Sequence, residues 1–448
     1  MQEIFNFKRF NIQNGLFKGT IFRFPLRNTK HSNLSSTQYT VERLKRLCEQ
    51  IEREAHLLML FLKNVHTVEV YEKTSNDSTA KLVQQIGLRN ERNGDHEKRL
   101  EFQKILETRP NEECECSYLL ETVYNNYNGM GSTYKWIVTQ YYGRVSSCQN
   151  QALPLVGLAM PVGETKHPQK GHTFCFLPLP LKDDNLTGFD FHINGYFSVD
   201  QSRTHIKWQE RCFLDTEQNW NTWLIEDVLP VALWKLVLFA ISLQKEGHLP
   251  VSEVYGAMPD SSKVKKNWCN LAERFWEKAQ QNICLYIVLG NWEIPYNCYL
   301  IPSDEREHHD LIETVCKNGG QSLGLSPSHV YSHVHHTGKK FTRNTMQKLL
   351  LKSTLSLPES EREEILQYMT REDDQLLIGL ELLKVESQQE TWVKFSSDSS
   401  SLIFLETTEF SKSLLPCTRE TFMAACSLSD PMYNILANIA RRGGYCLS

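Results

Sequence analysis

A chain of 448 residues has room for about three ordinary domains, and its 40% apolar share with 21 Phe, 17 Tyr and nine Trp excludes a disordered or fibrous protein. Its 49 basic and 53 acidic residues are interspersed, and a net charge of -4 gives no broad field to hold nucleic acid or an anionic membrane. The 13 cysteines are odd in number and scattered from Cys48 to Cys446, which reads as reduced, mostly buried thiols and not as a disulfide framework.

Met1 to Phe10 contain no apolar signal core, so the chain is expected in the cytoplasm. Gly19 to Arg27 alternate with Phe22, Phe24 and Leu26 on one face, the period of a strand, and Pro25 pushes it to a sheet edge. Val41, Leu44, Cys48, Ile51, Ala55, Leu58 and Leu62 then recur at helical spacing, with a capping box from Ser35 and Gln38 upstream. Thr67 to Tyr71 alternate again, and the polar run Thr74 to Thr79 closes a strand-helix-strand unit; a first boundary is placed there.

From Lys81 to about Asn128 the charged pattern predicts helix. Strand-like segments follow around Trp136, at Leu153 to Val162, His172 to Leu177 and Phe189 to Val199, which together predict a mixed sheet. Trp220 to Lys245 and Val264 to Gln280 read as long helices, the first turned or kinked at Pro230. Leu229 to Leu243 is the most apolar stretch, but it carries Lys235 and is shorter than the roughly twenty residues a membrane helix needs. Ile283 to Leu289 reads as a buried strand. After it, helices over 310–316, 328–336, 344–351, 361–369 and 375–383 precede short strands at 391–395 and 402–405.

Few motifs carry chemistry. Gly157 and Gly163 are too far apart for a phosphate loop and are followed by Glu164, and Gly129 with Gly131 suits an ordinary turn better than a nucleotide site. His329 and His333 stand four apart, so on a helix they share a face and form a candidate metal pair, although no third ligand is evident at the proper spacing. Cys114 and Cys116 are too close together for a zinc knuckle and read as thiols at a helix start. Asp183 with Asp184 and Asp373 with Asp374 suit turns and caps. No zinc-protease helix is present.

Five stretches, GTIFRFPLR at 19–27, LFLKNV at 60–65, FCFLPLP at 174–180, FHINGYF at 191–197 and LLIGLELL at 376–383, resemble in order the repeat units of the sacsin family of cytosolic co-chaperones. That family's repeat opens with a region similar to the GHKL-type ATPase domain of the ninety-kilodalton heat-shock chaperone. In that class the acidic residue, the Asn and the glycine turn that hold the metal and adenine lie upstream of the Gly-Thr strand. Here that strand begins at Gly19 and Thr20, so the resemblance implies that nearly all of the nucleotide pocket is missing and that these two residues are its vestige. Arg203 stands where the family carries an Arg pair, but Thr204 follows it, which weakens a charge-clamping role.

The expected fold is therefore α/β to α+β. A GHKL remnant spans 1–75 with an open sheet edge for self-association, a mixed α/β domain spans 76–300, and a mostly helical part with short strands spans 301–448. The resemblance implies a chaperone or scaffold module that binds unfolded clients or other chaperones, no nucleic acid and no membrane. It is expected not to be an enzyme and to need no cofactor, ATP and Mg entering only if an upstream domain is supplied. The alternatives are the downstream half of an ATPase, and an interaction protein that reuses the fold.

Overall fold

The computed structural model describes residues 19–22, 24, 40–73, 80–89, 94–108, 112–126, 128–129, 131–144, 153–163, 171–180, 182–208, 216–352, 358–370, 374–385, 391–396, 405, 413–414 and 430–441. They belong to two compact units, Met1–Lys278 and Ala279–Ser448, where the sequence suggests three parts.

In the first unit, helix α1 (Val41–Leu58) starts at Thr40, whose hydroxyl accepts the Arg43 amide at 3.3 Å. The capping box expected at Ser35 and Gln38 lies outside the described residues. The last turn of α1 buries Ala55, His56 and Leu57, and strand β1 (Thr67–Glu72) follows as expected. Gly19 to Phe22 and Phe24 are not in a strand, and both Phe rings are largely exposed.

The helix expected over 81–128 is corrected by the structure. Only α2 (Asp95–Thr108) is helical; β2 (Lys81–Arg89) and β3 (Cys114–Asn126) flank it as strands. In β2 the buried Gln84 and Ile86 alternate with partly exposed neighbours, a strand period that its charged ends mask. From Tyr118 to Thr122 β3 is buried on both faces, so no alternation is visible there.

Strands β4 (Gly131–Tyr142), β5 (Leu155–Val162), β6 (Thr173–Cys175), β7 (Leu177–Pro178) and β8 (His192–Gly195) complete one sheet in the order β1-β2-β3-β4-β5-β8-β6-β7. All its pairs are antiparallel except β6 with β8. The boundary expected near 75 thus falls between two paired strands. Leu57 of α1, Leu60 and Phe61 just behind it and Phe102 of α2 pack on Cys116, Tyr118, Leu120, Trp136 and Val138 of the sheet.

Helices α3 (Thr216–Trp223) and α4 (Leu229–Lys245) are joined without a break by a π-helical turn, Leu224–Val228. Pro230 follows directly, at the start of α4, where the wider turn absorbs its missing amide. Short α5 (Val251–Gly256) and α6 (Cys269–Ala279) close the unit.

In the second unit, β9 (Leu285–Ile287) pairs with β10 (Trp292–Glu293) and β12 (Gly324–Leu325), and β11 (Tyr299–Leu300) pairs with β13 (Lys339–Lys340). Helices α7 (His309–Asn318), α8 (Ser328–Val334), α9 (Arg343–Lys352), α10 (Glu359–Met369) and α11 (Asp430–Arg441) accompany them. Their core gathers Leu311, Ile312, Phe341, Met346, Ile365 and Leu436. A buried ion pair, Arg343 to Glu305 at 3.1 Å, is steadied by the Arg343 Nε–H donating to the Tyr368 carbonyl at 2.9 Å. The helix expected over 375–383 is a 3-10 turn at Asp374–Leu377, then Gly379 at φ 85°, then β14 (Glu381–Val385), paired with β15 (Thr391–Lys394). Left-handed Gly379 ends the helical path and redirects the chain into the hairpin.

Candidate functional site

The strongest candidate is a groove of about 420 Å³ in the first unit. Its origin is a mismatch in strand length. β2 pairs with β3 only from Glu121 to Asn126, whereas β4 runs beside β3 from Cys114 to Asn125. Among the described residues the first half of β3 thus has no strand neighbour on the β2 side, and α2 and α4 stand over that margin. The lining comprises Lys98, Glu101, Phe102 and Ile105 of α2, Glu115, Cys116 and Ser117 of β3, and Lys235, Leu238 and Phe239 of α4.

The walls are apolar and the rim carries both signs of charge. Lys235 pairs with Glu115 at 2.7 Å and Lys98 with the buried Asp95 at 3.4 Å. Leu238 is 38% exposed although it belongs to a helix that buries most of its apolar residues, so the groove shows apolar surface to solvent. Burial pushes the Cys116 thiol up to about 12, against the pull of Lys98 and Arg99, so it lines the groove as an inert apolar group and not as a nucleophile. This arrangement suits apolar side chains of a peptide better than proton or group transfer.

None of the groove was legible as a site in the sequence. Cys114 and Cys116 are strand residues, not thiols at a helix start, and the helix assigned to that segment concealed the open margin.

The residues that the sequence singled out are placed elsewhere. Gly19 and Thr20 are exposed. Arg203 is exposed at the tip of a hairpin turn in the left-handed region, φ 54°. Its main-chain amide donates to the Asp200 carbonyl at 2.9 Å, while the Asp200 carboxylate takes the Thr204 amide at 2.6 Å and the His205 amide at 3.0 Å. The Ser202 hydroxyl, those amides and the Thr204 hydroxyl hold the Asp200 carboxyl below the usual carboxylate range. No hydrogen bond or ion pair among the described residues joins Gly19, Thr20 and Arg203.

His329 and His333 share α8, both half-buried, but no group of three or more His, Cys, Asp or Glu among the described residues is arranged to hold a metal ion. Gly129, φ 74°, lies with Gly131 in the turn between β3 and β4, where a Cβ on Gly131 would come within 2.4 Å of the Tyr124 carbonyl oxygen. Asp183 binds Lys265 at 2.9 Å, and Asp373 lies outside the described residues.

Four of the five stretches that carry the family resemblance, those at 60–65, 174–180, 191–197 and 376–383, place residues in the cores. Phe174, Phe191 and Phe197 are buried. Asn194 accepts the Phe176 amide at 2.8 Å, fastening a residue held at the left-handed φ of 66°.

Comparison with known proteins agrees with this pattern. The family model described as the Sacsin domain matches residues 1–85. Human sacsin is 28% identical over 452 residues, an alignment that takes in 92% of this chain. The chain is related to sacsin. It spans only 10% of the length of human sacsin, and no solved structure matches it. Among the described residues of this sacsin-related chain, no helix is long and apolar enough to cross a membrane.

Proposed function

We propose that this chain is a sacsin-like protein-binding module of the chaperone or co-chaperone kind, working in the cytoplasm on unfolded or partly folded clients without turning over nucleotide itself. The observation that carries this is the groove between α2 and α4, whose exposed apolar wall and two-signed rim fit a polypeptide. The non-enzymatic part is supported by the exposed positions of Gly19, Thr20 and Arg203 and by the lack of a glycine-rich nucleotide turn in the 448 residues. In this proposal residues 1–75, which include α1 and β1, are the remnant of a GHKL-type layer.

The test combines titration calorimetry against Mg-ATP with suppression of aggregation of a thermally unfolded model protein. The expected result is no heat from Mg-ATP, clear suppression by the chain, and loss of most of that suppression in Leu238→Asp, a change the exposed position tolerates. Saturable Mg-ATP binding would instead favour the ATPase-half alternative. Undiminished suppression by the variant would take the groove out of the function.

A further inference from the structure

We propose that the groove takes its partner as an added β-strand, hydrogen-bonded to the open margin of β3 at Glu115 and Ser117. The inference rests on the protein-binding function above and specifies its chemistry: the ligand is a short extended segment, apolar on both faces and free of proline.

The argument begins with strand parity. The Leu119 amide donates to the Asp95 carboxylate at 3.2 Å, so it points away from β4. The β3–β4 register runs from Cys114–Tyr142 to Asn125–Gly131 without a shift. In an antiparallel ladder every second residue turns its N–H and C=O to the same side, so Ser117 and Glu115 point the same way as Leu119. The Ser117 hydroxyl bonding Thr139 at 2.9 Å agrees, because side chains approach most closely at pairs that exchange no main-chain bonds.

From Glu121 onward this side of β3 is taken by β2, and at Leu119 Asp95 substitutes for a strand. At Ser117 and Glu115 no described main-chain group pairs with it, and both residues line the groove. An open edge is a template for another strand, which here would continue an existing eight-stranded sheet.

Position selects the ligand. Phe102 of α2 packs with Cys116 and Tyr118 on one face of the sheet, and Lys235 of α4 reaches Glu115 on the other. A strand entering between the helices has side chains alternating toward Phe102 and Ile105, then toward Leu238 and Phe239, hence apolar character on both faces. Proline would remove a needed donor. The sheet's outer strand β1 is a poorer receptor, since a register shift between Val70 and Tyr71 and the acidic Glu69 and Glu72 blunt it.

Residue-resolved amide exchange on the full chain, alone and saturated with a permanently unfolded, carboxymethylated model protein, tests this directly. The Glu115 and Ser117 amides should exchange quickly in the free chain and slow by about tenfold or more in the complex, whereas the Cys116 and Tyr118 amides, bonded toward β4, are slow in both. Ser117→Pro, which places a ring on the open margin and spares the bonds to β4, should abolish binding that Ser117→Ala retains. Binding without protection at Ser117, or unchanged in Ser117→Pro, overturns strand addition and leaves protein binding standing. A chain that binds no unfolded protein overturns both.

Discussion

At the scale of single residues, two buried histidines, His172 and His192, give the first unit a dependence on pH. His56 of α1 lies 4.8 Å from the Tyr134 ring, and His192 of β8 lies 5.4 Å from Trp136 and 5.7 Å from Phe174. The main-chain amide of His172 donates to His192 Nδ1 at 3.0 Å, so that nitrogen must stay unprotonated. Burial, with the neighbouring His172 and His56, pushes His192 from its ordinary 6.5 down to about 3, and burial also lowers His172 despite the opposing Leu179 carbonyl and Glu54. The folded state keeps His192 neutral while the unfolded chain takes up a proton below 6.5, so stability is full above that pH and falls as the pH drops toward 3. The slope is about 1.4 kcal/mol per pH unit for this group once the unfolded ring is charged. Urea midpoints followed downward from neutral pH should show this loss, and His192→Gln, which keeps an acceptor for the His172 amide, should flatten it. An equally steep acid limb in the variant would assign the effect to other groups.

At the scale of elements, the fastening of α2 to β3 turns on Asp95, which is buried in the first turn of the helix and takes the Leu119 amide that β2 does not reach. Asp95→Ala leaves that amide unpaired in a dry place, at a cost of about 1–3 kcal/mol. The expected observation is a lowered urea midpoint at unchanged slope, with Asp95→Asn closer to the wild type because its carbonyl still accepts. Equal loss in both variants would assign the effect to the carboxylate's charge and its pairing with Lys98. The same region shows why the sequence was only partly legible. Helices with one solvent face, such as α1 and α7, announce themselves by spacing. β3 does not, because its buried middle conceals the period while Glu113, Glu115 and Glu121 imitate a charged helix face. At 375–383 a continuous apolar run fits either period, and only the left-handed Gly379 decides. The groove escaped notice for the same reason, since it exists only where one strand outruns another.

At the scale of the whole chain, the family resemblance is spread across both units, yet its motifs resolve into separate cores: Phe174 packs with Trp136 in the first, and Leu377, Leu380, Leu382 and Leu383 pack with Phe341 in the second. The alignment with human sacsin takes in 92% of this chain and so reaches both units, and each has a core of its own, so each unit is expected to hold its own fold. Trp136, 2% exposed and donating its indole N–H to the Thr122 hydroxyl at 3.0 Å, anchors the first core, and Phe341, 1% exposed, anchors the second. Removing either ring costs about 3–5 kcal/mol. Followed by amide exchange along the chain, Trp136→Ala should lower protection in the sheet of the first unit and spare α7 and α9, and Phe341→Ala should do the reverse. Loss of protection throughout the chain in either variant would mean that the two units fold as one cooperative body, and a client engaged at the β3 groove would then steady the second unit as well as the first.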